Sequence, residues 1–228
     1  MHRDAGLADT KVPGEKLADL ELRASDQFLR VPGKLLDLGC GGGRATVYFA
    51  TKGYNTVGID MDLDTLRTAK KFAAEHGADL CEFVLADARE LCFRDSGFDC
   101  VISFGSTLSE KFRVWLSKRD RESIVTEALR VTESGGTALF NFVHRYWNLR
   151  GLIKFLRYHG ACVEKKLRGK RAEWGDYWEI IGNKKISFHA FTIREARSLF
   201  PSRGIWLRTW KRKGWLFTDW FFVAAKKV

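Results

Sequence analysis

The sequence lacks any long hydrophobic run and any apolar leader at its start. No apolar stretch is long enough to cross a bilayer, and the richest one, residues 215–225, is interrupted by Thr218 and Asp219. Residues 1–4 read Met-His-Arg-Asp and lack the apolar core of a secretory signal. We therefore expect a cytoplasmic protein without a membrane span.

Cysteine is present, but without the spacing that metal sites and disulfide frameworks use. The five cysteines are an odd number, and no Cys-x-x-Cys occurs among them. They stand at positions 40, 81, 92, 100 and 162. The sequence therefore predicts reduced, buried thiols and no metal site.

Acidic residues are scarce in the second part of the chain. Residues 144–228 contain 20 lysines and arginines against 6 acids, a net charge of +14, whereas residues 1–143 contain 19 against 22, a net charge of −3. Such asymmetry indicates an anionic partner for the second part. The alternative is a basic face that is merely solvated.

A glycine-rich turn between an apolar run and a helix organises the sequence. Residues 34–38 predict a strand, residues 39–43 contain four glycines, and residues 43–52 predict a helix. Strand, glycine turn and helix form the entry to a nucleotide-type site in an open α/β sheet. Glycine lets a ligand approach the main chain closely, and the N–H groups at a helix start favour negative charge.

The spacing of these glycines decides between two kinds of ligand. A dinucleotide turn needs Gly-x-Gly-x-x-Gly, but counting from Gly39 the last place falls on Arg44. The series Asp37, Gly39, Gly41 and Gly43 instead resembles motif I of the class I S-adenosylmethionine (SAM)-dependent methyltransferases. The resemblance implies that this turn, which includes Cys40, holds the methionine part of SAM. It also implies that the acid at its start organises the loop near the ligand's ammonium group.

Acids also end the next two predicted strands. Asp60 stands 21 residues after Gly39, close to the offset of about 20 that is typical of a ribose-binding acid. Met61 follows and could pack on an adenine ring, although Asp60 could alternatively be a helix N-cap. The resemblance implies that Asp87 accepts the adenine amino group while the N–H of Ala88 meets a ring nitrogen. Because ligands bind beyond the carboxyl ends of parallel strands, three such acids predict one cofactor site.

Residues 98–106 resemble motif IV of the same family. The resemblance implies that Phe104 and Gly105 line the sulfonium end of SAM. Residues 103–106 read Ser-Phe-Gly-Ser, not Asn/Asp-Pro-Pro-aromatic, so the chain does not resemble the amino-group methyltransferases of adenine or glutamine. A Pro-Cys nucleophile is also missing, which disfavours 5-methylcytosine chemistry.

Strand and helix signals alternate through the first 143 residues and then stop alternating. Such alternation predicts a parallel sheet covered on both faces. With the resemblance, it predicts a three-layer Rossmann-like α/β fold whose seven-stranded, mostly parallel sheet has one antiparallel strand. The predicted strands are 34–38, 55–60, 80–86, 98–104, 137–143, 186–191, 204–209 and 215–225, and Gly135-Gly136 is expected to separate a helix over 121–132 from the fifth.

One domain with a full core suits a chain of 228 residues. We divide it into an N-terminal helical segment (1–30), a SAM-binding core (34–143), a basic lid insertion (144–185) and C-terminal strands that complete the sheet (186–228). The resemblance covers residues 15–143 and 186–228.

The lid insertion combines positive charge with aromatic side chains. Apolar and basic residues over 147–159 form separate helical stripes, which indicates a basic amphipathic helix. Such a helix could contact a membrane surface, a phosphorylated acceptor or RNA, or it could be a lid with a solvated basic face. The basic residues of 165–171 precede Trp174, Tyr177 and Trp178, a combination that suits single-stranded nucleic acid or a ring-bearing small molecule.

Three side chains are candidates for a general base at the acceptor. Methyl transfer to an acceptor is largely a matter of positioning, and a base is needed only where the acceptor must lose a proton. His144 follows the predicted fifth strand, and His189 precedes the capping box that Thr192 and Glu195 form at the start of a helix. Tyr177 is the third candidate, and each could equally be structural.

The sequence therefore predicts a SAM-dependent methyltransferase that acts on a small or lipid-like anionic acceptor. Residues 188–200 resemble the small-molecule branch of the family. One alternative is an RNA (tRNA) methyltransferase that uses the basic second part, and another is a SAM-binding protein without catalysis. A nicotinamide oxidoreductase is disfavoured by Arg44, and the oligomeric state is not predicted.

Overall fold

A computed structural model describes most of the chain, including most of the predicted core. The described residues are 17–29, 32–105, 107–109, 116–145, 160, 162–163, 166–167, 169, 173–181, 184–211 and 220–228. The helices are α1 (Asp19–Phe28), α2 (Arg44–Thr51), α3 (Leu63–Glu75), α4 (Lys118–Val131) and α5 (Ile193–Arg197). The strands are β1 (Lys34–Leu38), β2 (Asn55–Asp60), β3 (Cys81–Leu85), β4 (Phe98–Ser103), β5 (Thr132–Val143), β6 (Asp176–Ile181), β7 (Lys184–His189), β8 (Ile205–Trp210) and β9 (Trp220–Lys227).

Seven strands form one sheet in the order β3-β2-β1-β4-β5-β9-β8. The first five are parallel, and β9 runs antiparallel to both of its neighbours. The predicted fold class, a mostly parallel seven-stranded sheet with one antiparallel strand, is thereby confirmed. Because β1 lies between β2 and β4, its glycine-rich continuation emerges at the middle of the carboxyl edge of the sheet.

The central strand is apolar on both of its faces because helices cover both. Leu36 and Leu38 are fully buried in a cluster with α4 and α5, whereas Leu35 points into a cluster with α1 and α2. Successive side chains of a strand alternate between the faces of the sheet, so two adjacent leucines serve two different cores. The three-layer arrangement follows directly from this alternation.

The fifth strand is longer than its sequence suggests. It starts at Thr132, directly after α4, and not at residue 137 as predicted. Gly135 has a φ of +80°, and a Cβ added to Gly136 would lie 2.7 Å from the backbone oxygen of Asp99. The two glycines therefore permit a close strand crossing where the pairing with β4 shifts register, instead of separating the helix from the strand.

A second, two-stranded antiparallel sheet consists of β6 and β7. Only the second of these strands was expected, and the predicted boundary between the lid insertion and the last segment, at residue 185, falls inside the hairpin. The amphipathic helix predicted over 147–159 lies outside the described residues. Within the described part of the chain, no helix is both long and apolar enough for a membrane crossing.

Candidate active site

The glycine turn is held in its conformation from both sides. Gly39, Gly41 and Gly43 all have positive φ, and the N–H of Cys40 donates to the carbonyl of Ile59 on β2 at 2.8 Å. A Cβ on Gly39 would stand 2.7 Å from the methyl group of Thr107, beyond β4. The turn is thus confined between the loop after β4 and the end of β2, and only glycine fits this position without displacing a neighbour.

Asp60 holds the turn from the adjacent strand end. Its carboxylate accepts from the N–H of Gly41 at 3.1 Å and from the N–H of Asp62 at 2.9 Å. The N-cap of α3 is Asp62, whose side chain accepts from Thr65, so the alternative in which Asp60 itself caps this helix is excluded. Asp60 remains partly exposed, which leaves its carboxylate within reach of a ligand that lies on the turn.

Asp37 faces inward from the start of the turn. It is 2% exposed and accepts from the hydroxyl of Thr46 on α2 at 2.7 Å. Burial raises the pKa of this carboxyl to about 6, although the Thr46 hydrogen bond and the charge of Arg44 both act to lower it. The N–H of Gly41 donates to Asp60 and not to Asp37. Asp37 therefore acts on the loop through its hydrogen bond to Thr46 on α2.

Arg44, which breaks the dinucleotide pattern, forms a buried ion pair. Its guanidinium donates to both carboxylate oxygens of Glu21 on α1, at 2.6 and 3.0 Å, and Glu21 is only 4% exposed. Two parallel N–H···O contacts fix the relative orientation of the two groups. The pair therefore fastens α1 to the first residue of α2, a connection that the sequence pattern did not indicate.

The end of β3 lies beside the end of β2. The N–H of Ala86 donates to the carbonyl of Asp60 at 3.1 Å, which brings Asp87 and Ala88 to the same edge as the glycine turn. Met61 is half exposed there. Asp87 is held by Arg89, whose Nη2 lies 2.6 Å from its Oδ2, and this partner was missed in the sequence.

Phe104 and Gly105 have different environments. The Phe104 ring is 4% exposed and packs edge-on against Phe222 of β9, with ring centroids 5.9 Å apart. It belongs to the core between the sheet and α1. Gly105 has a φ of +70°, and a Cβ added there would meet nothing within 4 Å. Any contact with a ligand at this corner therefore comes through the backbone of Gly105 more than through the aromatic ring.

A buried ionic cluster lies past the end of β5. We call it the arginine–carboxylate network, and its members come from α4, the end of β5, the turn before β6, β6, β7 and α5: Arg121, Arg145, Glu173, Asp176, His189 and Glu195.

His189 is the centre of this network. The side chain is fully buried, with Nδ1 2.7 Å from Asp176 Oδ1 and Nε2 2.9 Å from Glu195 Oε1. Burial pushes the pKa of Glu195 up, but hydrogen bonding to His189 and the charge of Arg145 leave it below its usual value. Both ring nitrogens of His189 are therefore occupied by carboxylate partners. This environment favours a structural role for His189.

Two arginines supply the remaining positive charge. Arg121 is 1% exposed and joins Glu173 at 2.7 Å while its Nε donates to the carbonyl of Leu108 at 3.1 Å. Arg145 donates to Glu195 and, at 2.6 Å, to the carbonyl of Trp174. Glu173, Asp176 and His189 bring ligand-type atoms within 4.8 Å of one another, but the guanidinium of Arg121 already pairs with Glu173, and Asp176 pairs with the His189 ring. The cluster is therefore a set of ion pairs that fastens the β6–β7 hairpin to the domain.

The other two candidate bases lie near this network. His144 forms a single parallel bridge with Phe191, and its ring meets Phe221 edge-on with centroids 5.5 Å apart. Tyr177 is 7% exposed and stacks on Phe188 at 5.4 Å. Of the three candidates, His144 is the one at the carboxyl edge of the main sheet that retains partial exposure.

Comparison with known proteins places the core of this chain in a family. Residues 35–136 match the family described as methyltransferase domain. The 2-heptyl-1-hydroxyquinolin-4(1H)-one methyltransferase of Mycobacteroides abscessus is 34% identical over 99 residues, which are 43% of each chain. The ubiquinone biosynthesis O-methyltransferase of Escherichia coli is 29% identical over 112 residues, 49% of this chain and 43% of that one. The alignments span about half the length of these curated relatives.

Solved structures agree in fold over nearly the whole chain. A SAM-dependent methyltransferase from Methanosarcina mazei has a TM-score of 0.70 at 23% identity and covers 93% of this chain and 99% of its own. The glycopeptide N-methyltransferase MtfA, solved with S-adenosylhomocysteine, has a TM-score of 0.66 at 18% identity, with coverages of 99% and 97%. The fold is therefore that of the Rossmann-like methyltransferases. The matched core, which contains the glycine turn, resembles the domain of the SAM-dependent methyltransferases.

Proposed function

We propose that this protein binds SAM and transfers its methyl group to a small or lipid-like anionic acceptor. The observation that carries the cofactor part is the Asp60 carboxylate, which joins the end of β2 to the N–H of Gly41 in the glycine turn. A partly exposed carboxylate at that point can accept from ribose hydroxyls while the turn stays in place. The Asp60 carboxylate is thereby positioned to bind a sugar that lies across the ends of two strands.

The rest of the site suits the other parts of the same ligand. The turn from Gly39 to Gly43 would hold the methionine part, and the half-exposed Met61 would cover one face of the adenine ring. Asp87 and the N–H of Ala88 would meet the edge of the ring. Gly105, with open space beside its Cα, would let the sulfonium end approach the main chain.

Methyl transfer of this kind asks little of the protein beyond positioning. An acceptor lone pair bonds to the methyl carbon as the carbon–sulfur bond breaks in line, and S-adenosylhomocysteine leaves. Where the acceptor is an O–H or N–H group, its proton must go to a base or to water. His144 is then the best-placed candidate, because His189 is enclosed between two carboxylates.

The anionic acceptor is proposed from the charge distribution. Residues 144–228 carry a net charge of +14, and the β6–β7 hairpin of this part of the chain lies beside the carboxyl edge of the sheet, where the N–H of His189 donates to the carbonyl of Ser109 after β4. A cleft lined by positive charge concentrates anionic ligands. The names of the relatives, a hydroxyquinolone methyltransferase and a ubiquinone biosynthesis O-methyltransferase among them, support a small acceptor.

Transfer of tritium from methyl-labelled SAM tests this function directly. The purified protein is incubated separately with small organic acids, with anionic lipid extract and with total RNA, and Asp60→Ala is the control. We expect label in one of the first two pools and, at a SAM concentration near the wild-type Kd, much less label with the variant. Label in RNA alone, with binding that falls steeply as salt rises, would replace the small acceptor by a nucleic acid. SAM binding without transfer to any pool would favour the non-catalytic alternative.

A further inference from the structure

Asp87 stands in a position that does not by itself orient its carboxylate. It lies two residues after the end of β3, its side chain is about one-third exposed, and its own carbonyl accepts from the N–H of Glu90 in a turn. A short, partly exposed acid on a turn has several rotamers within reach. A neighbouring group must therefore fix one rotamer of Asp87 if its carboxylate is to meet the edge of a planar ring.

Arg89 makes that selection. Its Nε lies 3.0 Å from Oδ1 and 2.9 Å from Oδ2 of Asp87, its Nη2 lies 2.6 Å from Oδ2, and its own backbone N–H donates to Oδ1 at 2.8 Å. A guanidinium and a carboxylate joined side by side are held nearly coplanar. The plane of the carboxylate is therefore fixed by the plane of the arginine.

Arg89 is in turn anchored to a helix end. Its Nη1 lies 3.3 Å from Oδ1 of Asp120 on α4. The other oxygen of Asp120 is already used by the helix cap, because it accepts from both the N–H and the hydroxyl of Ser117, at 2.8 and 2.7 Å. The chain of contacts runs from a rigid helix start through Arg89 to Asp87.

We propose that Arg89 is a positioning residue that presents the Asp87 carboxylate to the exocyclic amino group of adenine. This inference rests on the proposed placement of adenine beside Asp87. Hydrogen bonds from the Arg89 side chain also hold the pKa of Asp87 below its usual range. An ionised carboxylate accepts and does not donate, so a fixed one selects for a ring edge that carries an N–H donor.

The test compares two ligands that differ only at that amino group. Calorimetry measures the Kd of S-adenosylhomocysteine and of its 6-deamino analogue, in which hydrogen replaces the amino group. Because a hydrogen bond to a charged group contributes about 1.5–3 kcal/mol, we expect the wild type to bind the adenine compound ~10–100-fold more tightly. In Arg89→Ala that preference should fall to within about threefold, mainly through weaker binding of the adenine compound, and Arg89→Lys should recover part of it.

Arg67→Ala is the matched control, because Arg67 also pairs with an aspartate close by in sequence, Asp64, at 2.8 Å, but on an exposed face of α3. It should leave both affinities unchanged. Equal weakening of both ligands in Arg89→Ala would mean a merely structural role and would overturn the inference, as would an unchanged preference. Asp87→Ala, which removes every side-chain acceptor at this position, distinguishes the placement of adenine from the positioning role of Arg89. If it leaves the preference intact, the placement of adenine itself is wrong; if it removes the preference and Arg89→Ala does not, only the positioning role is lost.

Discussion

The glycine turn and the arginine–carboxylate network lie at the same edge of the protein but are built in opposite ways. The turn consists of consecutive residues, and its donors are backbone N–H groups, such as that of Gly41 bound to Asp60. The network consists of side chains separated by up to 74 positions along the chain, from Arg121 to Glu195. A local backbone site can be recognised as a pattern in the sequence, whereas a site assembled from distant side chains cannot.

The two regions also differ in how charge is compensated. In the network, each of the carboxylates of Glu173 and Glu195 lies against a guanidinium, and His189 bridges two acids. In the turn, Asp37 is buried with a raised pKa, and its hydrogen bond comes from a neutral hydroxyl. We expect the network to stabilise the fold and the buried acid of the turn to cost stability in favour of ligand binding. The following predictions test this contrast.

The largest effect is expected from removing one cation of the network. Arg121→Met keeps most of the packing but leaves the carboxylate of Glu173 without its 2.7 Å partner. Breaking a buried ion pair by removing one partner costs about 3–5 kcal/mol, so the free energy of unfolding in urea should fall by that amount. The same change at Arg119, which is exposed on the same helix, should cost less than about 0.5 kcal/mol.

A double variant sharpens this prediction. Arg121→Met combined with Glu173→Gln removes both charges, and we expect it to be more stable than the single arginine variant. Should the single variant lose less than about 1 kcal/mol, the network would be a solvated cluster without a structural role. The contrast between the two regions would then disappear.

Removing the charge of Asp37 should raise the free energy of unfolding, whereas removing the charge of Arg121 should lower it. The reason is that burial favours the neutral form of the Asp37 carboxyl in the folded protein. The pKa of about 6 lies above the ordinary value of 3.8, so folding stability from this group is present at low pH and is lost as pH rises through 6. Asp37→Asn removes that loss. Relative to the wild type, its free energy of unfolding should therefore rise by about 2.5 kcal/mol between pH 4 and pH 7.5.

The gain in stability of Asp37→Asn should be accompanied by weaker ligand binding. At pH 7.5 we expect Asp37→Asn to be more stable in urea than the wild type but to bind S-adenosylhomocysteine more weakly, if the buried carboxylate charge attracts the ammonium group of the ligand as proposed. Asp64→Asn, on the exposed face of α3, should change neither quantity. A pH-independent difference in stability between Asp37→Asn and the wild type would contradict the raised pKa.

Much of the fold was predictable because its signals are local. Strands β1, β2 and β4 were predicted to within a residue, and so was the capping box of Thr192 and Glu195. The start of β5 was wrong by five residues, because a pair of glycines marks either a turn or a close strand crossing. Strand β6 was missed because it is defined by its pairing with β7, the other strand of the hairpin.

The network was missed although one signal for it existed. Residues 144–228 contain only six acids, and three of them, Glu173, Asp176 and Glu195, belong to the network. In a strongly basic segment, an acidic residue indicates a specific ion pair more clearly than a further lysine does. What the sequence could not supply is the partner, since Arg121 and Arg145 are two among 39 basic residues.

The glycine turn can be tested with two glycines that share a backbone conformation but not a neighbour. Gly39 and Gly77 have φ of +69° and +60°, yet a Cβ on Gly39 would collide with Thr107 while one on Gly77 would meet nothing within 4 Å. Gly77→Ala should cost only the backbone strain, about 1–2 kcal/mol. Gly39→Ala should lose roughly 1–3 kcal/mol more through the collision and should bind no S-adenosylhomocysteine by calorimetry. Equal losses of unfolding free energy in the two variants would show that the turn or Thr107 can shift to accommodate the added methyl group.

The smallest effect is expected at Asp60, because the fold there depends on backbone contacts. Asp60→Ala removes the acceptor of Gly41 and of the ribose, and each hydrogen bond to a charged group contributes about 1.5–3 kcal/mol at most. The Kd of S-adenosylhomocysteine should rise ~10–100-fold in calorimetry, and the free energy of unfolding should fall by no more than about 3 kcal/mol, because the N–H groups of Gly41 and Asp62 also lose their acceptor. Asp64→Ala is the matched exposed acid and should leave the Kd unchanged. An equally unchanged Kd in Asp60→Ala would remove this carboxylate from the cofactor site. The backbone of the turn would then be the main source of affinity, which would make the contrast with the side-chain network still stronger.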